Sequence, residues 1–115
     1  MKAQWMILGF GMTIASYAQM MNMTIPFATA MKDSMVRMSA GMHSAPVNGN
    51  PDHDFATVMI PHHQGGIDMA NAELQYGKDP AMRKVAQDLI NDQQGQINQL
   101  QAWLDRAPKA AKQVK

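Results

Sequence analysis

Residues 59 to 69 read MIPHHQGGIDM. Two adjacent histidines, His62 and His63, lie between Met59 and Met69, with Pro61 before them and Gly65-Gly66 after. Imidazole nitrogens and thioether sulfurs are both metal-ligand types. Thioethers are soft and select Cu(I) or Ag(I), while imidazole serves copper in either oxidation state. The plain alternative is a strained stretch of helix core whose histidine finds an ordinary hydrogen-bond partner. Spacing alone leaves both open.

Further donors recur upstream. Met31, Met35, Met38 and Met42 step by four, three and four, with His43 beside them. Those spacings put the methionines on one face of a helix. Methionine occurs 13 times in the chain, and the expected helix after Pro26 holds no leucine or isoleucine. Methionine stripes ordinarily serve as adaptable core filler. Leucine would specify a core better, so its complete replacement favours a ligand role. Met20, Met21 and Met23 form another cluster in QMMNMTIP, ahead of the expected helix start.

Other chemistries fail on inventory. The chain has no cysteine, which excludes disulfides, thiolate metal sites and thiol nucleophiles. Glu73 is the only glutamate among nine acidic residues, too few for a di-iron carboxylate site in a helical bundle. No zincin, P-loop, nucleophile-elbow or dinucleotide motif occurs. Asp68 and Glu73, five residues apart, make no obvious acid/base pair, so no enzyme is read here. A formal net charge of +1 without a dense basic block gives nucleic acid no footprint.

These side chains must be positioned by helices. At 115 residues the chain is one small domain, and its abundant Ala, Gln, Met and Leu favour an all-α fold. Residues 1–18 have the layout of a signal peptide: Lys2, an apolar run from Trp5 to Ala15, then Ser16-Tyr17-Ala18 before the cut, with Ala28-Thr29-Ala30 as a second cleavage candidate and an uncleaved anchor helix as the alternative. The mature protein is then expected to be periplasmic or secreted, with no membrane contact after cleavage. A Met-rich segment, 19–50, carries helix one from about Pro26 to Gly41, with Thr24 as its cap. Asn50-Pro51 opens helix two, which Gly77 ends, and Asp79-Pro80 opens helix three, which reaches about Arg106. Residues 107–115 read as a flexible basic tail.

The connection at Gly77 to Asp79 permits only an antiparallel hairpin over 51–106. Helix three shows one apolar stripe, from Met82 to Leu104, interrupted by Gln93. The matching stripe on helix two is Phe55, Met59, His62, Gly66, Met69 and Glu73, with His63 at its border. Folding about Lys78 brings the histidines near Gln93, Gln94 and Gln96, whose amides could fix the outer ring nitrogens or, on the plain reading, let Gln93 satisfy a buried histidine. Pro61 predicts a kink, and Gly65-Gly66 make room for a ligand or a closely packed helix.

Residues 54 to 104 resemble the CopM-like family, first catalogued as domain of unknown function 305. The resemblance is carried by Phe55, Met59, His62-His63-Gln64, Met69, the Asp79-Pro80 helix start, and Gln93, Ile97 and Trp103-Leu104. It implies a ferritin-like bundle, exported to the periplasm and associated with copper binding and tolerance. By position, Met59, His62, His63 and Met69 are similar to the family's metal-binding side chains. Gln96 stands where the family often has glutamate, and Leu100 where it often has methionine.

The expectation is therefore a periplasmic protein that sequesters or passes on Cu(I), with Cu(II) or Ag(I) as alternatives. Met59, His62, His63 and Met69 form the central site, and Met31, Met35, Met38, Met42 and His43 either close over it or form a second one. A copper transporter or another periplasmic copper protein is the expected partner. The competing expectation is a Met-rich interaction module without metal, and a homodimer suits either.

Overall fold

The computed structural model describes residues 11–107, except the side chain of Met23. It contains three helices, α1 (Ile14–His43), α2 (Pro51–Tyr76) and α3 (Pro80–Arg106), and no strand among the described residues. The fold is all-α, as composition and periodicity predict. Both neighbouring pairs run antiparallel. Between α1 and α2, Phe27 meets Tyr76 edge-on at 6.3 Å between ring centroids, Arg37 lies 3.6 Å from Asp68, and Gly41 faces Pro61. Between α2 and α3, Gly66 faces Gln93 and His63 faces Gln96. In both pairs one residue number rises as the other falls.

Local chemistry sets the ends of α2 and α3 where the sequence puts them. Asn50 accepts from the amides of Asp52 and His53, and Asp79 accepts from Met82, with Pro51 and Pro80 in the first turns. Each cap satisfies amides that have no partner within the helix. Arg83 reaches back from α3 and donates to the carbonyls of Leu74 (2.6 Å) and Gly77 (3.1 Å), tying the hairpin shut. Ahead of α2, the Asp54 carboxylate accepts from the amides of Asn48 and Gly49 and pairs with His53 Nδ1 at 2.9 Å. Gly49, at φ +87°, supplies the left-handed residue this turn requires.

Helix α1 differs from its expected span. It starts at Ile14, capped by Thr13, and passes through Pro26 without a break. Proline removes one backbone donor and disfavours the helical conformation before it, which is why it reads as a start. Here it lies inside the helix. Thr24 is no cap: its hydroxyl donates to the Met20 carbonyl one turn back. Met20, Met21 and Met23 accordingly belong to α1 rather than to a segment before it. Of the expected signal segment, residues 1–10 lie outside the described residues, and Ala18 falls within α1. Residues 108–115 of the expected tail also lie outside them.

Helix α2 is central, with α1 and α3 packed against it; among the described residues no Cα of α1 lies within 8 Å of one in α3. The buried positions are small: Ser34, Ala56, Gly65, Ala70, Ala72 and Ala86, with Ile67 the largest. Small side chains let helix axes approach, and the glycines mark where they do. A Cβ added at Gly65 would lie 2.6 Å from Met38 Cβ, and one at Gly41 would lie 2.7 Å from Pro61 Cβ. A Cβ at Gly66 would meet the Gln93 amide. Gly65 and Gly66 thus make room for α1 and α3 respectively, and α2 remains helical through Pro61.

That arrangement also changes the predicted stripe on α2. A helix flanked on two sides has two buried faces, not one. Pro61, Gly65 and Asp68 face α1, while Met59, His63 and Gly66 face α3. His62 and Met69 fall between the two faces, and His62 is exposed.

Candidate metal centre

His63, not His62, is the histidine turned toward α3. Its Nδ1–H donates to the Met59 carbonyl one turn back at 2.8 Å. This is the usual way a helix or carboxylate orients a metal-binding imidazole: one nitrogen is anchored and the other presented. The presented atom, Nε2, lies 2.5 Å from Gln96 Oε1 on α3. The sequence offers Gln93, Gln94 and Gln96 together as partners, but the Gln93 amide oxygen is buried against Gly66 and accepts no hydrogen bond. Gln96, one turn further along α3, makes the contact.

Met59 and His63 share a cleft of about 410 Å³ between α2 and α3, with Gln96, Leu100, Phe55 and Trp103 among its lining residues. Residues four apart on a helix are neighbours, so a thioether and an imidazole can address one ion there. Gln96 and Leu100 both line this cleft. Phe55 and Trp103 are 61% and 38% exposed, so the cleft opens through an aromatic rim.

His62 and Met69 lie elsewhere, and helical geometry says where. The Arg37–Asp68 pair marks one edge of the α1–α2 contact. One residue further on each helix turns the side chain by about 100°. Because the helices are antiparallel, that step carries both Met38 and Met69 across the shared face to the opposite edge. Met38 indeed lies against Gly65. Met31 and Met42 follow Met38 at helical spacing, and His62 precedes Met69 by two turns. Helical geometry thus puts His62 and Met69 toward the same edge as Met31, Met38 and Met42. Met31, Met38, Met42 and Met69 are half-buried, and Met35, 51% exposed, stands further out.

The four central residues of the sequence reading are therefore divided: Met59 and His63 line the α2–α3 cleft, and His62 and Met69 are not among its lining residues. The two imidazole rings are 5.9 Å apart between centroids, at 63°. His43 joins neither set. It is exposed, its Nδ1 bonds the Ser39 carbonyl at 2.8 Å, and one residue beyond Met42 it turns away from the stripe.

The donor chemistry fits a soft ion. Among the described residues no three His, Asp or Glu side chains converge. Met59 and His63 are the thioether and imidazole that line one cleft, donor types that suit Cu(I) or Ag(I). Sequence reasoning named Gln96 only alongside Gln93 and Gln94 and missed the aromatic rim; the hairpin register counted from Gly66–Gln93 singles out Gln96.

Residues 11–104 match the family described as Domain of unknown function (DUF305). The chain is also similar to "Uncharacterized protein L153" of Acanthamoeba polyphaga mimivirus, 37% identical over 54 residues. That match covers 47% of this chain and 36% of the relative, so the chain spans only about a third of that protein's length.

Proposed function

On the premise that this chain belongs to the DUF305 family, we propose that it binds copper as cargo, as Cu(I) before Cu(II), with Ag(I) as a surrogate. The observation that carries this reading is the His63 ring, anchored through Nδ1 on the Met59 carbonyl with Nε2 directed into a cleft that Met59 also lines. Neutral thioether and imidazole ligands bind a monovalent soft ion with little proton release and without cysteine. The thioethers of Met31, Met38, Met42 and Met69, with His62, provide a second group of donors on the other side of α2. The protein sequesters copper or passes it to a transporter or another copper protein in the periplasm, and it carries out no catalytic step. Residues 1–18 act as its export signal.

Competition with a Cu(I) chelator tests the reading. Copper is withdrawn from the chelator by the wild type, and less effectively after Met59→Leu with His63→Ala. A wild type that competes no better than a methionine-free helical protein overturns it. Mass measurement of the exported protein, with and without copper, reads the cleavage site and the stoichiometry together.

The exposed apolar side chains Phe55, Met35, Met82 and Val85 support a second reading, a surface that grips a partner or a second copy of the chain. Under it, His63→Ala leaves association unchanged and helix-one methionine substitutions weaken it, irrespective of metal.

A further inference from the structure

The Nε2 atom of His63 already has a partner. Nδ1 is committed as a donor to the Met59 carbonyl, so in the neutral ring Nε2 carries the lone pair. The atom facing it at 2.5 Å is Gln96 Oε1, an acceptor. A half-turn of the terminal amide presents NH2 to the lone pair; with the ring protonated, the amide oxygen accepts instead. In either state the amide blocks the only nitrogen of His63 that a metal could reach. A lone pair cannot accept a hydrogen bond and coordinate an ion at once.

Gln96 is also able to leave. It is exposed where it lines the cleft, whereas the amide oxygen of Gln93, one turn away, is buried against Gly66. We propose that Gln96 is a displaceable latch on His63, a positioning residue that an incoming soft ion must exchange for, so that it sets both the affinity and the uptake rate of the cleft. This rests on the reading of His63 as a ligand. One neutral hydrogen bond is worth about 1 kcal/mol net. At 1.4 kcal/mol per tenfold, that corresponds to about fivefold in affinity.

The test uses the full chain and Ag(I), which avoids redox chemistry. In metal-free protein, imidazole 15N spectra of His63 change at Nε2 in Gln96→Leu and not in Gln94→Ala, which removes a neighbouring exposed amide. Ag(I) then binds Gln96→Leu about fivefold more tightly than wild type, and faster. Unchanged His63 signals in Gln96→Leu overturn the latch, as does equal or weaker Ag(I) binding while the wild type binds. If neither protein binds Ag(I), although the His63 signals change as expected, the metal reading fails with the latch, and the bond is only a tie between α2 and α3.

Discussion

Met38 lies directly on Gly65. A Cβ added at that glycine would meet the Met38 Cβ at 2.6 Å and its Cγ and Sδ at 2.7 Å. The first of these atoms is fixed to the α1 backbone and cannot swing aside. Gly65→Ala gains about 1 kcal/mol of helix propensity and loses about 1–3 kcal/mol to overpacking, so the loss prevails. At Gly66 the opposing atoms are the tip of the Gln93 side chain, which can move. Urea denaturation should therefore rank Gly65→Ala below both wild type and Gly66→Ala. The reverse order would refute the close approach of α1 and α2.

The two adjacent histidines should separate functionally, because they serve different sides of α2. His63→Ala removes the imidazole of the α2–α3 cleft and is expected to weaken its Ag(I) affinity by at least about tenfold, the lower end of what disturbing a metal ligand's support costs. His62→Ala should leave that event intact and alter only binding at the methionine edge. Calorimetric titration of both variants reads this directly. Identical effects would mean that one ion engages both rings.

Acid should loosen the turn before α2. His53 beside Asp54, with the amides of Asn48 and Gly49, holds the Asp54 carboxyl below the usual carboxylate range. A group whose folded pKa is depressed adds stability above its unfolded pKa of about 3.9, and that stability is lost as pH falls through the folded value. Thermal midpoints of Asp54→Asn and wild type should differ at pH 6 and converge as pH falls below 4. A constant gap over that range would rule out this contribution.

The two proline-led helix starts should each be worth about 1 kcal/mol. Asn50→Ala and Asp79→Ala each remove the side chain that accepts first-turn amides. For a domain of this size each substitution lowers the melting temperature by about 4–8 °C. The double variant should show the sum, since the caps share no partner. Calorimetric melts that show no loss in either single variant would contradict the capping role.

The hairpin was legible because its signals are local. Asn50-Pro51, Gly77 and Asp79-Pro80 determine where α2 and α3 begin and end, and the short connection determines their register. Helix one was less legible because Pro26 carries the same signal whether it opens a helix or interrupts one. Only the twelve helical residues ahead of it, from Ile14 to Ile25, distinguish the cases. The histidine assignment depended on a different fact, the number of neighbours. A single stripe put His62 inward; two flanking helices turn His63 inward and leave His62 in the gap. No pattern within α2 reports that α1 packs on its far side.

Because the backbones of α1 and α3 stay apart among the described residues, α2 is a shared spine with two half-interfaces. Anything that fills the cleft beside His63 tightens the grip of α3 by mass action. The release of α1 keeps its own free energy, since among the described residues the α3 backbone does not come close to it. Loosening one outer helix therefore leaves the other seated, and substitutions at Gly41 and Gln93 should be energetically independent. The molecule can be opened from the methionine edge while the cleft on its other flank stays shut.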